Sequence, residues 1–491
     1  MLTLDRWIRD RARATPQRVA IEFPGPDLAR AETTYAELDE RSERLAAGLL
    51  ETGLVRGDRV ATLTGTSPEH VVAFFACAKA GLTLLPLNWR LAQAELAYQL
   101  EDAAPAVLLA APEHARSARA LHDRVAGVED LVAQSNYLRP AASVAGDDGL
   151  LLVYTSGTTG RPKGALLTHA NCFWTNLSFD RMAGVADDDV VLAVLPQFHC
   201  GGWNVQPLLA WWKGARVVLE PAFDAARALE LIGSRRVTTM MGVPANYLFM
   251  AAEPGFRDAD LSSLRRAVVG GAPMPEALLE TWHERGVEIV QGYGLTEAAP
   301  NVLCLPPEDA ARKRGCAGKP YPYVDVALRD PETGAFVEGA GEGELVVGGP
   351  NVFAGYWNDP EATAAAFADG WLLTGDVAAR DEEGYYRIAG RLKELVISGG
   401  ENVYPAEIES VLHEHPAVAE AAVVGVPDER WGEACLAFVV LDGEATADEL
   451  LAFCRERLAK FKVPRAVRFV EQLPRNTMDK VAKNELLEFV G

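Results

Sequence analysis

The sequence is poor in cysteine, and its cysteines never form a C-x-x-C pair. The seven cysteines are odd in number and scattered over 491 residues, which predicts free thiols and gives no zinc-binding pattern. Positive charge is also scarce, because 47 Lys and Arg stand against 69 Asp and Glu, for a formal net charge of -22. A surface of that sign repels phosphate backbones, which argues against nucleic acid as a partner.

Long uninterrupted apolar runs are lacking as well. The most apolar stretch, VVAFFACAKAGLTLLPL at residues 71–87, contains Lys79 and Gly81 and is too short to span a bilayer. The N-terminal segment MLTLDRWIRDRARATPQ interleaves charged and apolar residues and has no signal-peptide core. We therefore expect a cytoplasmic protein without stable membrane insertion.

Helix signals alternate with short apolar runs over most of the chain. Thr34 and Glu37 form a capping-box pattern ahead of one helix, and Gly81 follows the end of the next. This alternation predicts an α/β architecture with largely parallel sheets. From about residue 325, short strands between glycine-rich turns predict a barrel-like region. A turn-rich segment near residue 390 precedes a small α+β domain of about a hundred residues.

A glycine- and threonine-rich loop, YTSGTTGRPKG at residues 154–164, directly follows the apolar run LLLV. The run predicts a buried strand, and glycines after it let the backbone approach a ligand closely. Hydroxyl and N–H groups in such a loop suit a phosphate. The spacing departs from the Walker pattern, because Lys163 follows Pro162 and precedes Gly164.

Six ordered stretches of the chain resemble the adenylate-forming superfamily, and in particular its acyl-CoA synthetases. They are the loop itself, LPQFHCGGW (195–203), QGYGLTEAAP (291–300), WLLTGD (371–376), GRLKELVISGGENVYPAEIE (390–409) and LPRNTMDK (473–480). The resemblance implies a large N-terminal domain at 1–389 with two α/β sheets and a distorted β-barrel. It also implies a hinge at 390–393 and a small mobile C-terminal α+β domain at 394–491.

The implied reaction joins a carboxylic acid to coenzyme A in two steps. Attack of the carboxylate on the α-phosphate of ATP gives acyl-AMP and pyrophosphate, and the acyl group then passes to the CoA thiol. Both reactants of the first step are anions, so the site must supply positive charge and N–H donors. An alternative acceptor is a carrier-protein thiol or an amine, and a second alternative is a nucleotide-binding protein without activity.

The resemblance implies an extended nucleotide site. Its members are Thr155, Ser156, Gly157, Thr158, Thr159, Gly160, Lys163, Gly271, Ala272, Pro273, Gly292, Tyr293, Gly294, Asp376 and Arg391. Asp376 would accept both ribose hydroxyls, which a carboxylate can do because it has two acceptor oxygens. Arg391 would reach the same ribose or the phosphates, and Tyr293 would stack on adenine.

The implied catalytic residues are Lys480, Thr296, Glu297 and His199. Lys480 would bridge the incoming carboxylate and the α-phosphate, although Asp479 stands where the family usually has glycine. Lys483 is a weaker candidate for this role. Glu297 would hold Mg²⁺, a hard cation that prefers oxygen ligands.

Coenzyme A would enter along a small-residue segment, Ser398, Gly399 and Gly400, because side chains there would block a tunnel. Lys393 matches the hinge position of the family. Further contacts to the CoA nucleotide could come from Trp431, Lys460 and Lys462. A homodimer is a further expectation from the resemblance.

The acid pocket is expected to be hydrophobic. Its implied members are His199, Trp203, Met241, Gly242, Tyr247, Gly270, Gly294 and Val302. His199 stands where amino-acid-activating domains carry an aspartate, which disfavours an α-amino acid. The pocket offers no evident arginine for a second carboxylate. The substrate is therefore predicted to be a hydrophobic monocarboxylic acid, either a fatty acid or a flat aromatic acid of the hydroxycinnamate type.

Overall fold

The computed structural model describes residues 2–25, 31–135, 143–155, 161–272, 274–398, 401–428, 432–475 and 481–489. Its strands, β1 to β26 in chain order, are Val19–Glu22, Glu32–Thr34, Arg59–Leu63, Thr83–Pro86, Val107–Ala110, Val125–Ala126, Gly149–Thr155, Lys163–Thr168, Val190–Ala193, Arg216–Leu219, Thr239–Gly242, Arg266–Val269, Ile289–Gly294, Asn301–Leu305, Lys319–Pro320, Asp325–Arg329, Gly341–Gly348, Gly355–Tyr356, Phe367–Ala368, Trp371–Arg380, Tyr386–Arg391, Val396–Ser398, Glu401–Val403, Val418–Asp428, Gly432–Leu441 and Ala466–Phe469.

The helices, α1 to α17, are Trp7–Ala14, Tyr35–Glu51, Pro68–Ala80, Gln93–Ala103, Ala115–Leu121, Val128–Gln134, His169–Met182, Gly201–Asn204, Pro207–Lys213, Ala225–Arg235, Pro244–Ala252, Glu276–Glu284, Pro307–Ala310, Pro360–Ala365, Pro405–His413, Ala447–Arg457 and Lys483–Glu488. The predicted capping box of Thr34 and Glu37 is formed, and Gly81 ends α3 in the left-handed conformation. These local signals therefore predicted the start of α2 and the end of α3 correctly.

Two large sheets form most of the N-terminal part. A seven-stranded sheet has the order β18-β8-β7-β4-β3-β5-β6, with parallel strands from β7 to β6. A nine-stranded sheet has the order β15-β14-β13-β12-β11-β9-β10-β1-β2, and β13 through β1 run parallel. The predicted α/β architecture with largely parallel sheets is confirmed.

Two smaller sheets complete the fold. An antiparallel sheet in the order β16-β17-β20-β19, with β21 paired to β20, occupies the region where short strands were predicted. The C-terminal part has its own sheet, β23-β22-β25-β24 with β26 beside β25, and its own apolar clusters. The larger N-terminal and smaller C-terminal domains therefore each have a core.

The largest apolar cluster joins the two big sheets and includes the fully buried Trp203 and Trp211. Between the domains, the Tyr404 hydroxyl donates to Glu342 Oε1 at 2.6 Å, and Tyr404 packs against Gly390. Within the described ranges, none of the helices has the length and apolar character needed to cross a membrane.

Candidate active site

A cavity of about 1320 Å³ lies at the carboxyl ends of five neighbouring strands of the nine-stranded sheet. In spatial order these strands are β13, β12, β11, β9 and β10. Four steps of about 4.8 Å between strands make this row roughly 19 Å long. Open α/β sheets bind ligands at this edge. A site for one drug-sized ligand measures about 300–1,000 Å³, so this cavity has room for more than one reactant.

The β13 end of the cavity carries a buried carboxylate that is held on both sides. Asp376 pairs with Arg391 across β20 and β21, and Arg391 Nε lies 2.7 Å from Asp376 Oδ1. The Tyr293 hydroxyl donates to Asp376 Oδ2. Burial, and then the Asp376 charge, raise the pKa of Tyr293 well above its usual value, so the phenol stays a donor. Tyr293 and Arg391 thereby fix the orientation of the carboxylate.

Glu344 supports the same end of the cavity from β17. Its Oε1 accepts a hydrogen bond from the Gly375 N–H at 3.1 Å, and Gly375 has a φ of +67°, which favours glycine. Glu344 is buried, and desolvation raises its pKa. The turn that presents Asp376 is thus held by a second carboxyl group, Glu344, which lines the cavity.

Thr296 and Glu297 follow β13 in a single 3₁₀ turn and line the cavity. Glu297 Oε1 accepts a hydrogen bond from the Tyr356 hydroxyl at 2.8 Å, and its backbone oxygen accepts one from Phe353 N at 2.9 Å. Lys163, at the start of β8, has its Nζ 5.2 Å from the centroid of the Tyr356 ring. Tyr356 therefore contacts both β8, which is the strand after the glycine-rich loop, and the turn that carries Thr296 and Glu297.

His199 lines the cavity beyond the end of β9, where its ring lies edge-on to Phe198 at 4.6 Å. Arg90 lies close by, because its guanidinium is 5.8 Å from the Phe198 ring centroid. His199 thus follows the fourth strand of the five-strand row, next to the β10 end. This part of the cavity combines an imidazole, a guanidinium and aromatic surface.

Two predicted pocket aromatics lie in the core, which corrects their assignment to the pocket wall. Trp203 is fully buried, stacks on Phe74 with ring centroids 4.6 Å apart, and donates from Nε1 to the Gln197 oxygen at 2.6 Å. Tyr247 is fully buried, and its hydroxyl donates to the Val268 oxygen at 2.8 Å. Neighbouring elements cover both rings, so neither side chain lines the cavity.

Val302 and Gly242 are corrected in the same way. Val302 is fully buried on β14, and neither residue lines the cavity. A Cβ at Gly242 would lie 3.1 Å from the Tyr247 ring and 3.2 Å from Asn246, so core packing accounts for this glycine. The other predicted pocket members do line the cavity: His199, Met241, Gly270 and Gly294.

The predicted nucleotide residues fall into three groups. Those on the cavity wall are Thr155, Lys163, Gly271, Gly292, Tyr293, Gly294 and Arg391. Asp376 lies behind them in contact with Tyr293, and Ala272 is exposed beside Gly271. Predictions that lie outside the described residues concern Ser156, Gly157, Thr158, Thr159, Gly160, Pro273, Gly399, Gly400, Trp431, Asp479 and Lys480.

The predicted cations of the C-terminal part have different surroundings. Lys393 lines the cavity, next to the end of β21. Lys483 is held by two carboxylates, with its Nζ 2.7 Å from Glu394 and 2.8 Å from Glu409. A lysine bound in this way is not free to reach a reacting carboxylate. Its ion pairs give Lys483 a structural role and leave Lys480 as the candidate.

Besides Lys460, which is exposed at the start of a 3₁₀ turn, Ser398 and Lys462 complete the predicted CoA set within the described ranges. Ser398 is buried at the end of β22 and pairs with Gly432 of β25. Lys462 makes a two-pronged ion pair with Glu407 at 2.7 and 2.8 Å. Neither residue lines the large cavity.

Several cavity residues were missed by the sequence analysis. These are Arg90, Phe223, Ala245, Phe249, Glu253, Glu344 and Tyr356. Two of them, Ala245 and Phe249, recur together with the cavity residue Ala252 at the spacing of one helix face on α11. That spacing was visible in the sequence, but nothing in it distinguished a cavity face from a core face.

Comparisons with known proteins agree with this geometry. A family model described as AMP-binding enzyme matches residues 8–357, and one described as AMP-binding enzyme C-terminal domain matches residues 407–480. The chain belongs to the AMP-binding enzyme family. The resemblance to the adenylate-forming superfamily is confirmed.

Curated relatives specify the class further. The chain is 45% identical over 99% of its length to a feruloyl-CoA synthase of Amycolatopsis sp, with 99% of that protein covered. It is 41% identical over its whole length to an indoleacetate--CoA ligase of Aromatoleum aromaticum, with 98% covered. It is also 38% identical over 99% of its length to a long-chain-fatty-acid--CoA ligase of Mycobacterium tuberculosis, with 98% covered.

Solved structures match over almost the entire chain. ATP-bound MatB from Rhodopseudomonas palustris has a TM-score of 0.92 at 35% identity, covering 99% of this chain and 98% of MatB. An O-succinylbenzoate coenzyme A synthetase from Bacillus subtilis, in complex with ATP and magnesium ion, has a TM-score of 0.89 at 35% identity. The match covers 98% of this chain and 99% of the synthetase. The protein is an AMP-forming acid-CoA ligase with an ATP-binding adenylate-forming fold.

Proposed function

We propose that this ligase acts on a hydrophobic monocarboxylic acid, and that an aryl-substituted acid is its first candidate substrate. The observation that carries the proposal is the β10 end of the cavity. Phe223, Ala245, Phe249 and Ala252 give this end apolar walls. The strand row separates it from Tyr293 by about 19 Å, which leaves room for an acid beside a nucleotide.

The charges at this end disfavour a second carboxylate on the substrate. The ionisable residues on the α10 and α11 side of the cavity are Asp224 and Glu253, both acidic. A distal carboxylate that reached these two acids would be repelled by them. The expectation that the pocket has no arginine is corrected, because Arg90 also lines the cavity, beside Phe198. Relatives named for feruloyl-CoA and indoleacetate support an aromatic acid.

An aliphatic acid is the second candidate. Phe249 is 50% exposed and lies at the cavity margin, so a long chain could extend past it towards solvent. The relative named for long-chain fatty acids supports this alternative. Acid length therefore separates the two candidates, because an aromatic acid would end inside the apolar walls.

In the proposed adenylation step, the carboxylate attacks the α-phosphate and pyrophosphate leaves. Lys480 neutralises the charge that moves between the two anions, and the Thr296 hydroxyl donates to an α-phosphate oxygen. His199 orients the attacking carboxylate from beyond the end of β9. Lys163 and Thr155, with the loop between them, hold the β- and γ-phosphates.

Magnesium is part of the proposal, and the residues present fit it. Glu297 offers a carboxylate oxygen and Thr296 a hydroxyl oxygen on the same turn of the cavity wall, which is the donor chemistry that Mg²⁺ prefers. A bound Mg²⁺ would neutralise phosphate charge and polarise the α-phosphate for attack.

The nucleoside would be held at the β13 end. Asp376 would accept hydrogen bonds from the ribose hydroxyls, since Tyr293 and Arg391 fix its carboxylate in place. Arg391 is half exposed, which leaves its guanidinium within reach of the ribose or phosphates. Tyr293 and the Gly271-Ala272 backbone would flank the adenine.

Thioester formation is proposed to need a rotation of the C-terminal domain. The proposed domains are 1–389 and 394–491, joined by a hinge at 390–393 that contains Lys393. Rotation would remove Lys480 and bring Ser398, Gly399 and Gly400 to the acyl-AMP, where pantetheine enters. Lys460, Lys462 and Trp431 are proposed contacts of the CoA nucleotide. The homodimer and the cytoplasmic location stay predictions.

The first experiment measures pyrophosphate release over a panel of cinnamic, indoleacetic, fatty and dicarboxylic acids, with and without CoA, and identifies the products by mass spectrometry. We expect aryl-CoA with cinnamic-type acids and no turnover of dicarboxylic acids. Turnover of fatty acids alone would favour the second candidate, and turnover of a dicarboxylic acid would overturn the pocket argument.

A matched pair of lysine variants tests the catalytic assignment. Lys480→Met should reduce acyl-AMP formation at least about 100-fold, as expected when an electrostatic contact of the transition state is lost. It should still convert supplied acyl-AMP to acyl-CoA. Lys483→Met should retain adenylation, because that lysine is held by Glu394 and Glu409. The reverse pattern would refute the assignment of Lys480.

A further inference from the structure

Tyr356 lies on a two-residue edge strand that is fixed to the strand after the glycine-rich loop. In β18, Tyr356 pairs with Ala165 of β8, and the Trp357 N–H donates to the Gly164 oxygen at 2.7 Å. Strand β8 begins at Lys163. The position of the tyrosine is therefore set by the same backbone that positions this lysine.

The side chain of Tyr356 connects two parts of the proposed phosphate site that are far apart in sequence. Its hydroxyl donates to Glu297 Oε1 at 2.8 Å across 59 residues of chain. Its ring lies beneath the Lys163 ammonium, with Nζ 5.2 Å from the centroid. The tyrosine thus contacts the proposed metal ligand with its polar end and a proposed phosphate ligand with its face.

The surroundings of Tyr356 hold its ring in place. Phe353 packs edge-on against its ring at 4.9 Å, and the Phe353 N–H also donates to the Glu297 backbone oxygen at 2.9 Å. A tyrosine hydroxyl is protonated at neutral pH, so it donates a hydrogen bond to one oxygen of the Glu297 carboxylate.

We propose that Tyr356 is a positioning residue that orients the Glu297 carboxylate towards the Mg²⁺ bound with ATP. A carboxylate that accepts one fixed hydrogen bond cannot rotate freely, so its second oxygen keeps one direction. Partners that orient a metal ligand in this way typically change metal affinity about 10- to 100-fold. The inference rests on the proposed role of Glu297.

The test measures the affinity of the purified full chain for α,β-methylene-ATP by calorimetry, with Mg²⁺ and with EDTA. The ratio of the two dissociation constants is the metal-dependent gain in affinity. Tyr356→Phe keeps the ring under Lys163 and removes only the hydroxyl. We expect it to lower the metal-dependent gain about tenfold, at the lower end of that range, and to leave metal-free affinity unchanged.

Three further variants make the result specific. Tyr385→Phe is the matched control, because the Tyr385 hydroxyl also donates to a carboxylate, Asp309 Oδ2 at 2.5 Å, and Tyr385 does not line the cavity. It should behave as wild type. Glu297→Gln should remove most of the metal-dependent gain. The double variant with Tyr356→Phe should add no further loss, since the hydroxyl acts through Glu297.

The outcomes separate the two hypotheses. If wild type shows no metal-dependent gain, or Glu297→Gln keeps it, the proposed role of Glu297 fails. If both behave as expected and Tyr356→Phe keeps the full gain, the positioning role alone is overturned. If Tyr356→Phe loses the same nucleotide affinity with and without Mg²⁺, the positioning role is also overturned, because such a loss indicates a purely structural effect.

Discussion

Gly294 ends β13 immediately before the turn that carries Thr296 and Glu297. A Cβ added at this position would lie 1.6 Å from the Pro300 backbone oxygen. The same oxygen accepts a hydrogen bond from the Leu295 N–H at 3.1 Å. Because the obstacle is backbone, no side-chain rotation can relieve the overlap in Gly294→Ala.

The size of the effect follows from the displacement that is needed. Ordinary non-bonded contacts lie at about 3.5–4.0 Å, so the two chain segments must separate by about 2 Å. We expect a loss of about 2–3 kcal/mol in the free energy of unfolding, as for overpacked cores. Misplacing reacting groups by an ångström can cost about 100-fold in rate, so kcat/KM should fall at least that much.

Gly292→Ala is the control, because it adds the same methyl group two residues earlier on β13. There the nearest atom to the new Cβ is the Leu303 oxygen at an ordinary 3.7 Å. Urea unfolding and pyrophosphate release measure both variants. Because Gly292 lines the cavity, the two variants are compared on stability and the activity of Gly294→Ala is compared with wild type. If Gly294→Ala is as stable as Gly292→Ala, the packing argument for this turn is wrong.

Three other predictions concern the core and the pocket. Burial lowers the pKa of His70 to about 3. Between that pH and about 6.5 the unfolded chain therefore binds more protons than the folded chain, and stability falls as the pH drops through this window. Urea midpoints of His70→Gln should therefore decline less with acidification than those of wild type, and equal declines would contradict this. Asp39→Ala removes the carboxylate that lies 2.5 Å from the buried Lys79 ammonium, and it should lower the free energy of unfolding by about 3–5 kcal/mol. Adding Lys79→Met to this variant should recover most of that loss, as measured by chemical denaturation. Ala245→Phe fills the β10 end of the cavity and should raise KM for cinnamic-type acids about tenfold or more without changing KM for ATP; an unchanged acid KM would place the acid elsewhere.

Much of the fold could be predicted because its signals are local. Capping at Thr34, termination at Gly81 and a strand before the glycine-rich loop depend on residues within a few positions of each other. The alternation of such elements was enough to predict parallel sheets, and the ordered motifs were enough to predict the enzyme class. Local steric and hydrogen-bonding rules act before any tertiary contact forms.

The pocket could be predicted only in part, because the sequence does not show which neighbour covers a side chain. Trp203 and Tyr247 have the composition of pocket walls, but Phe74 and the strand around Val268 enclose them. Gly294 lines the cavity as predicted, but only the structure shows that the Pro300 backbone also excludes a side chain there.

The sequence by itself determined the secondary structure, the ordered motifs and the chemistry they supply. Tertiary structure alone decided that Tyr356 meets Glu297 across 59 residues, that Lys483 is held by two carboxylates, and that one face of α11 lines the cavity. The physical reason is the separation along the chain over which each kind of interaction acts. Hydrogen-bonding and conformational preferences act between near neighbours in the chain, whereas burial and charge pairing depend on which distant segments the sheets bring together.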